Sequence, residues 1–354
     1  MKILVISFAG IGDTLFATPL IHELRANYPQ ARIDALVRWT GSKHLLEGNP
    51  HLNSICQKDL IRAGLAESLR FLWQLRQQRY DLSLNTHPQS RVHYRAMARF
   101  INARMRASHA YDNAGGWDSF LVNRTLPQDY GKHAVENNLG LLETIGARQM
   151  LPRHEYEVFL SPADLAWAQA YLGGHNWAGR KRLGIHVGSG GTKNLPLRRW
   201  PLDHYLELLK RLRQAHPELA VLFFGGPEEA KDHERIRSQT NPDQVLVAET
   251  ANLRQAAALL KQCDLFLSVD TALMHLATAM KVPKVIVIET PTWNKPIEPY
   301  GQPFTLIRNP AVDGRNLDYY RYDGRGMRGS PADLRRCMSS VTVESVCQTL
   351  SRLL

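Results

Sequence analysis

The sequence predicts an α/β protein with two doubly wound domains that face each other across a cleft. Two glycine-rich turns, roughly 180 residues apart, carry this prediction: Gly10-Ile11-Gly12-Asp13 near the start and residues 188–193 in the middle. Each turn follows a short apolar run typical of a buried parallel strand and leads towards a helical pattern. Ligands of open parallel sheets bind beyond the carboxyl ends of the strands, so both turns are candidate binding sites.

Strand and helix patterns alternate in both halves of the chain, which is the rhythm of a parallel sheet. In the first half we predict strands at 2–8, 33–37 and 81–85, helices at 14–28, 60–78 and 132–145, and a loop at 123–130. In the second half we predict strands at 183–187, 220–224, 244–248, 265–269 and 284–288, with helices at 202–215, 228–238, 253–262 and 271–280. The predicted domains are 1–175 and 180–340, joined by a glycine-rich linker at 173–179 and followed by a terminal helix at 341–354.

The composition is that of a globular protein with an excess of positive charge. Of 354 residues, 44% are hydrophobic and 22% are charged, and the formal net charge is +11. The four cysteines lie far apart without a C-x-x-C pair, and no histidines cluster at metal spacing, so we predict neither a disulfide frame nor a metal site. No apolar run reaches the length of a membrane span, and we expect a soluble, cytoplasmic protein.

The positive charge has two interpretations: a basic surface that keeps the protein soluble, or a partner that is a polyanion. Basic residues concentrate within residues 91–109 and again within residues 308–336. Neither group lies in a nucleic-acid-binding motif, so nucleic acid is not indicated, while an anionic membrane face and a phosphorylated substrate stay open.

The first glycine turn departs in two ways from a dinucleotide-binding fingerprint. Leu15 occupies the position of the third glycine, and Asp13 places a negative charge where the anion would bind. An NAD-dependent dehydrogenase is therefore disfavoured. Asp13 is either a helix cap that accepts backbone N–H bonds or a carboxylate at the cleft that takes a proton, and the residues alone favour the cap.

Several turns of the second half indicate a nucleoside diphosphate. Asp270 and Thr271 begin a helix directly after a strand, where free N–H groups and the helix dipole attract a diphosphate, and we expect Asp270 to cap that helix. His275, one turn further on, is more typical of a packed core residue than of a ligand. The glycine turn at 188–192 adds flexible backbone donors. Cations for the phosphates come from three further residues: Lys193, Arg198 and Arg199.

The Gly225-Gly226 turn ends another strand at the same edge of the sheet. Glu228 follows it and suits a contact with the ribose or purine of a nucleotide. The chain contains no D-x-D motif, so no carboxylate-bound metal on the diphosphate is predicted. Basic groups and helix ends must hold the diphosphate instead.

Four blocks of sequence occur together, in order, and span nearly the whole chain: Gly10 to Leu15 with Thr18-Pro19, Gly188-Ser189 through Arg199-Trp200-Pro201, Gly225-Gly226, and Asp270 to Ala277. In combination they resemble the lipopolysaccharide heptosyltransferase family, glycosyltransferase family nine. The resemblance implies a GT-B fold of two Rossmann-like domains, with acceptor binding in the N-terminal half and nucleotide-sugar binding in the C-terminal half. It also implies metal-independent transfer with inversion at the anomeric carbon.

By position, the resemblance implies that Asp13 is the general base, which reverses the preference for a cap. It also implies donor binding by Asp270, Thr271 and His275. With the residues of the other turns, the candidate donor site has ten residues: Gly188, Ser189, Thr192, Lys193, Arg198, Glu228, Asp270, Thr271, Ala272 and His275. Two of them depart from the family pattern. Arg198 replaces a lysine, so a planar fork replaces a point charge, and Ala272 replaces a glycine, so a methyl limits how closely a phosphate approaches the backbone.

The acceptor of this family is an anionic, lipid-linked core sugar at the inner face of the cytoplasmic membrane. The resemblance therefore implies a peripheral membrane protein that binds this acceptor with its N-terminal half. The candidate acceptor-binding residues are Gly12, Arg62, Arg91, Arg95 and Arg99. On the predicted helix 60–78, an apolar stripe is more typical of a core face than of a bilayer contact. The stripe consists of Leu65, Leu69, Leu72 and Trp73.

The resulting hypothesis is an inverting, metal-independent glycosyltransferase, without a cofactor, that moves heptose from ADP-heptose onto a lipopolysaccharide core. A GT-B transferase with a different nucleotide sugar is the first alternative. An epimerase or NAD enzyme would use the same sheet edges, and a non-catalytic protein that binds polyanions or a membrane surface would explain the charge but not Asp13. The sequence leaves open the sugar, the acceptor, the linkage and the oligomeric state.

Overall fold

Two six-stranded parallel sheets organise the chain in a computed structural model that describes residues 1–175, 177–191, 193–319 and 326–354. Each sheet belongs to its own compact unit. The first unit covers Met1–Phe159, and the second covers residues 160–319 and 326–354.

The first unit alternates strands and helices from its start. Its strands are β1 Lys2–Ser7, β2 Arg32–Val37, β3 Ser54–Gln57, β4 Leu82–Asn85, β5 Met105–Ala110 and β6 Arg124–Pro127. Its helices are α1 Ile11–Phe16, α2 Thr18–Asn27, α3 Thr40–Leu46, α4 Leu65–Gln77, α5 Val92–Ile101, α6 Asp118–Leu121 and α7 Ala134–Gly140.

The strand order of the first sheet is β3-β2-β1-β4-β5-β6, and all neighbouring strands run parallel. The central strand β1 is apolar and fully buried from Ile3 to Ile6, as expected when helices cover both faces of a parallel sheet. Because the strands are parallel, they all end at the same edge of the sheet, and the loops that follow them lie at that edge.

The second unit repeats this plan. Its strands are β7 Arg182–His186, β8 Ala220–Phe224, β9 Val245–Val247, β10 Leu265–Ser268, β11 Lys284–Ile288 and β12 Phe304–Ile307. Its helices are α8 Pro162–Gly173, α9 Leu202–Ala215, α10 Ala230–Gln239, α11 Leu253–Leu260, α12 Ala272–Ala279, α13 Asn316–Tyr319, α14 Pro331–Ser339 and α15 Val343–Leu353. The strand order of this sheet is β12-β11-β10-β7-β8-β9, and all neighbouring strands run parallel. If β7 is taken as the first strand and the order is read backwards, it is the same as in the first sheet.

The predicted strands and helices are found in both units, with small differences at their ends. The predicted helix 14–28 is two helices, α1 and α2, which meet at Ala17. The prediction missed β3, β5, β6 and β12, and β6 lies where a loop was expected. These strands are short or carry polar and half-buried residues, so the apolar run that marks a central strand is missing from them.

The two units divide earlier in the chain than the predicted boundary. Helix α8 packs against α11 and so belongs to the second unit rather than the first. The terminal helix α15 packs against α9 and is likewise part of the second unit. Asn176, within the predicted linker, lies outside the described residues. In the described parts of the chain, no helix combines the length and the apolar character that crossing a membrane requires.

Trp200 connects the C-terminal segment of the chain to the core of the second unit. Its side chain is buried, its indole N–H donates to the Val341 carbonyl at 2.8 Å, and its ring meets Tyr205 edge-on at 4.7 Å between centroids. The same core cluster contains Val346 and Leu350 of α15. Trp200 therefore contributes both apolar burial and a hydrogen bond to the attachment of the last helices.

We predict that Trp200→Ala destabilises the protein by about 3–5 kcal/mol, because the substitution leaves a large cavity and an unpaired carbonyl. Urea unfolding followed by circular dichroism measures the change. Trp117→Ala is the matched control, since Trp117 is 80% exposed, and it is expected to leave the unfolding midpoint unchanged. Equal midpoints for the Trp200 variant and the unsubstituted protein would contradict this role.

Candidate active site

The strand order of each sheet reverses at one point, and the predicted site residues follow the strands that flank it. The reversal lies between β1 and β4 in the first sheet and between β7 and β10 in the second. Chains that leave two such strands turn to opposite faces of the sheet, which opens a crevice beyond their carboxyl ends. Asp13 follows β1, and Arg91 follows β4. Residues 188–193 follow β7, and residues 270–275 follow β10.

Asp13 lies in the first turn of α1, and its carboxylate is hydrogen-bonded back to the glycine turn that precedes the helix. Its Oδ2 accepts a hydrogen bond from the Gly10 N–H at 2.6 Å. A Cβ on Gly10 would lie 2.8 Å from that oxygen, so a side chain at this position would push the carboxylate away. Asp13 thus caps the helix from within its first turn, and the same bond orients its half-buried carboxylate at the end of β1. Gly12 is buried beside it.

The loop after β2 holds this turn in place. The Trp39 indole N–H donates to the Ala9 carbonyl at 2.7 Å, and the Thr14 hydroxyl donates to Ser42 Oγ at 2.7 Å. Both contacts join the β1 turn to the start of α3. The backbone around Asp13 is therefore braced by side chains distant in the sequence.

Arg38 is a cation of this edge that the sequence analysis missed. Its guanidinium lies 4.1 Å from the centroid of the Trp39 ring, and its Nε donates to Asp59 Oδ1 at 2.9 Å. Asp59 also lies 3.8 Å from the Arg62 guanidinium. Arg62 is 81% exposed, so it is accessible to a ligand. The position of Arg38 directly after a buried strand was the signal available in the sequence.

Of the three predicted arginines at 91–99, Arg91 is the one that lies at this edge. It is the cap residue before α5, it is half-buried, and its side chain has no hydrogen bond or ion pair to the described residues. The pKa of His93 is lowered by its partial burial and by the positive charges of Arg91, Arg38 and Arg95. The structure thus brings Arg38, Arg62 and Arg91 to the edge that carries Asp13.

Arg95 and Arg99 have contacts of their own within the protein, so their part in acceptor binding stays a prediction. Arg95 is 2% exposed, forms an ion pair with Asp118 and donates to the Ser90 carbonyl at 2.8 Å. Arg99 lies at the far end of α5, where its guanidinium stacks 4.7 Å from the Phe120 centroid and donates to Asn102. Helix α5 leads away from the carboxyl edge of the sheet, so each turn moves its arginine further from Asp13 and into contacts of its own.

In the second unit, the turn after β7 is tightly packed around its glycines. A Cβ on Gly188 would lie 2.3 Å from Glu229 Oε1, and a Cβ on Gly191 would lie 2.5 Å from Glu228 Oε2. Ser189 is buried, and its hydroxyl donates to the Leu195 carbonyl at 3.0 Å. Lys193 follows with an exposed side chain and a backbone φ of +57°. Thr192 lies outside the described residues.

The two glutamates after β8 have different surroundings. Glu228, the predicted ribose or purine contact, is exposed and covers Gly191. Glu229, which the sequence analysis missed, is buried: it accepts from the Gly226 N–H at 3.0 Å and from Arg199 Nη2 at 2.9 Å. Burial raises the pKa of Glu229, although the Gly226 N–H and the Arg199 charge lower it. Glu229 therefore shapes the two glycine turns, and Glu228 stays open to a ligand.

Asp270 is an ion-pair partner and not a helix cap, which corrects the prediction. Thr271 occupies the cap position of α12, and its Oγ1 accepts from the Met274 N–H at 3.3 Å. Asp270, one residue earlier, lies in the bend between β10 and α12 and is buried. Its Oδ2 accepts from Arg198 Nη1 at 2.7 Å. Burial raises the pKa of Asp270, while Arg198 lowers it.

Arg198 is positioned by more than this carboxylate. Its Nη1 also lies 3.5 Å from Thr292 Oγ1, after β11, while its buried Nε has no hydrogen-bond partner among the described residues. A buried hydrogen-bond donor without a partner destabilises a folded protein. Such donors occur at ligand sites, where the ligand supplies the missing acceptor. Arg198 therefore links three strand ends and retains an unused donor.

Two buried histidines lie beneath the start of α12. His275 is packed one turn into the helix, 3.9 Å from Asp270 Oδ1, and burial together with Arg198 lowers its pKa to about 3. His186 ends β7, lies 3.2 Å from Thr271 Oγ1, and burial followed by Arg199 lowers its pKa to about 3. Both imidazoles are neutral at physiological pH. Ala272 begins the helix above them and is half-buried.

Three groups able to ligate a metal come together elsewhere in the first unit. The ligand atoms of His22, His51 and Glu157 lie within 4.8 Å of one another, although the three residues are far apart in the sequence. His22 Nδ1 lies 2.6 Å from Glu157 Oε1, and the rings of His22 and His51 stack at 3.8 Å with 15° between their planes. His51 Nε2 lies 3.6 Å from Glu157 Oε2, so both imidazoles lie against the same carboxylate.

Comparison with known proteins places these features in a family. The family model described as glycosyltransferase family 9 (heptosyltransferase) matches residues 68–319. Lipopolysaccharide heptosyltransferase 2 of Salmonella typhimurium is 28% identical over 336 residues, which cover 87% of this chain and 88% of that protein.

Solved structures match over the full length of the chain. The structure of E. coli ADP-heptose LPS heptosyltransferase II has a TM-score of 0.74 and 21% identity, and it covers 100% of this chain and 98% of that one. E. coli heptosyltransferase WaaC with ADP-2-deoxy-2-fluoro heptose has a TM-score of 0.71 and 20% identity, with 99% of each chain covered. These matches confirm the α/β GT-B fold class. Because the family model covers more than half of its length, the chain belongs to glycosyltransferase family 9, the heptosyltransferase family.

Proposed function

We propose that this glycosyltransferase moves heptose from ADP-heptose onto an anionic lipopolysaccharide core acceptor, with inversion and without a metal ion. The observation that carries the proposal is the division of chemistry between two equivalent sheet edges. The first edge holds an oriented carboxylate, Asp13, among arginines, and the second holds a helix N-terminus beside an arginine with an unused donor. Such a pair suits an acceptor that must lose a proton and a donor that must lose a diphosphate.

Asp13 is the proposed general base. The acceptor hydroxyl oxygen attacks the anomeric carbon of the donor sugar, the bond from that carbon to the diphosphate oxygen breaks, and the hydroxyl proton passes to the Asp13 carboxylate. The electron pair of the broken bond leaves on the diphosphate. A single displacement of this kind inverts the anomeric configuration. The hydrogen bond from Gly10 supports the role, because it fixes the carboxylate before the acceptor binds.

The second edge is the proposed donor site. The diphosphate meets the free N–H groups at the start of α12 and the backbone of residues 188–191, with Lys193 and Arg198 as cations. Negative charge on the diphosphate grows as its bond to the sugar breaks, so these groups act mainly in the transition state. A metal is not required in this scheme, because helix dipole and fixed cations supply the positive charge. Two E. coli WaaC structures, described with ADP and with an ADP-linked fluoroheptose, support the choice of donor.

The acceptor site is proposed at the first edge, where Arg38, Arg62 and Arg91 give an anionic acceptor its positive field. The names of the relatives support a lipopolysaccharide core as that acceptor. An acceptor anchored in a bilayer also supports a cytoplasmic protein that works at the inner face of the membrane. Arg38 is added to the arginines that the sequence analysis proposed.

Replacement of Asp13 tests the base. We expect Asp13→Asn to lower kcat by about 10²–10⁴, since the amide cannot take the proton. The amide oxygen can still accept the Gly10 N–H bond, so the helix cap and the unfolding midpoint are expected to persist. Turnover is measured with ADP-heptose and a core acceptor, and Glu143→Gln, an exposed residue of the same unit, is the control. A kcat close to that of the unsubstituted enzyme would contradict the assignment.

Replacement of Arg198 tests the donor site. We expect Arg198→Ala to raise the Kd of ADP by about tenfold to a hundredfold, the loss of one or two charge-assisted hydrogen bonds. Arg198→Lys keeps the charge beside Asp270 and is expected to retain most of the affinity. Calorimetric titration measures both, with Arg237→Ala on the exposed end of α10 as the control.

The alanine variant leaves a buried carboxylate unpaired, so its folding is checked by thermal unfolding before titration. An unchanged Kd in a folded Arg198→Ala protein would contradict donor binding by Arg198. Tighter binding of another nucleoside diphosphate than of ADP would keep the transferase and replace the donor.

A further inference from the structure

Large apolar side chains are exposed mainly on one part of the first unit. Seven of the ten that are exposed in the described ranges lie between residues 61 and 120. We call this set the apolar face; it consists of Ile61, Leu65, Leu69, Trp73, Val92, Trp117 and Phe120. Its members lie on α4, α5, α6 and the loops before them, and α5 packs against both of its neighbours. Exposed apolar residues concentrated in this way mark an interaction site rather than ordinary surface.

Helix α4 supplies the centre of the apolar face because it has two apolar stripes. Phe71, Leu72 and Leu75 turn inwards and pack on the core of the first unit. The residues Leu65, Leu69 and Trp73, spaced by four, turn outwards, and Leu65 and Trp73 are 77% and 52% exposed. The expectation that this stripe is a core face was therefore right for Leu72 alone. A globular helix needs only the first stripe, so the second requires a partner.

The charge around the apolar face is strongly positive. Residues 61–120, the range that contains the face, have nine arginines against four acidic residues, and therefore carry five of the eleven net charges of the chain. Arg62 and Arg70 are exposed next to the outer stripe, and the Arg76 guanidinium lies 5.8 Å from the Trp73 centroid. An amphipathic helix with Leu and Trp outward and arginine at its flanks has the composition of helices that lie in the headgroup region of anionic bilayers.

The position of α4 suits this partner. The helix starts at the carboxyl edge of the first sheet, three residues after Arg62 and on the same edge as Asp13. A bilayer under the outer stripe would therefore hold a lipid-linked acceptor beside the residues proposed to bind it.

We infer that the apolar face is the surface by which this enzyme docks on a bilayer of anionic phospholipids. The inference rests on the proposed function, in which the acceptor is carried in a membrane, and it names the surface that function uses. Leu65, Leu69 and Trp73 enter the level of the headgroups, while the arginines beside them contact lipid phosphates. Each arginine near such a surface strengthens binding by about fivefold.

Vesicle co-sedimentation tests the inference. The full chain is mixed with vesicles of phosphatidylcholine alone and with vesicles that also contain phosphatidylglycerol. We expect binding to the second kind, weakened by salt, and a loss of about tenfold or more in the combined variant Leu65→Ser, Leu69→Ser and Trp73→Ser. Arg70→Gln is expected to weaken binding by about fivefold. Met150→Ser with Leu317→Ser is the matched control, because both are exposed apolar residues that do not belong to the apolar face.

Transfer assays separate this inference from the proposed function. On a soluble core sugar the combined variant is expected to keep its turnover, and on an acceptor embedded in anionic vesicles it is expected to lose it. Absence of transfer by the unsubstituted enzyme to either acceptor would overturn the proposed function but not the vesicle result. Unchanged vesicle binding by the combined variant would overturn the inference. A second result would also overturn the inference: the unsubstituted enzyme is a dimer, the combined variant is a monomer, and vesicle binding is the same for both. A second copy of the chain would then be what covers the apolar face.

Discussion

The reversal of strand order at the centre of each parallel sheet is the constraint on which the candidate site depends. All strands of a sheet end at the same edge, and the chains that leave the two central strands turn to opposite faces. In the first unit this places the turn that carries Asp13 opposite the loop that carries Arg91. In the second it places the glycine turn opposite the start of α12. One topology, used twice, yields one edge with a carboxylate among arginines and another with a helix N-terminus beside an arginine.

Paired charges convert these edges into ordered sites. Buried ions are tolerated only when a partner and further hydrogen bonds compensate for the lost water. Arg198 on Asp270, and Arg199 on Glu229, satisfy this condition in the second unit, and each pair joins loops from different strands. In the first unit Asp59 pairs with Arg38 in the same way, whereas Arg62, 3.8 Å from the same carboxylate, is largely exposed. Arg38, Arg198 and Arg199 are therefore held in fixed orientations, which lowers the entropy lost when a ligand binds to such groups.

Much of the fold could be predicted from sequence, because central parallel strands are continuous apolar runs and the glycine turns follow them directly. The edge strands β3 and β6 could not be predicted, because each has a neighbouring strand on one side only and each contains polar residues. Asp13 and Asp270 were located by their place after a strand. Their contacts were not: which residue caps α12 depends on a shift of one position, from Asp270 to Thr271. Arg95 shows the same limit, because the concentration of basic residues at 91–109 groups it with Arg91, while in the fold it forms an ion pair with Asp118 of α6.

The proposed reaction is a single displacement without a metal ion. The most direct measurement is the anomeric configuration of the transferred sugar, determined by NMR on the product formed from ADP-heptose in the presence of a chelator. We expect one product, whose configuration at the anomeric carbon is opposite to that of the donor. We also expect it to form at the same rate with and without the chelator. A product with retained configuration, or transfer that stops when the chelator is added, would contradict the proposed reaction.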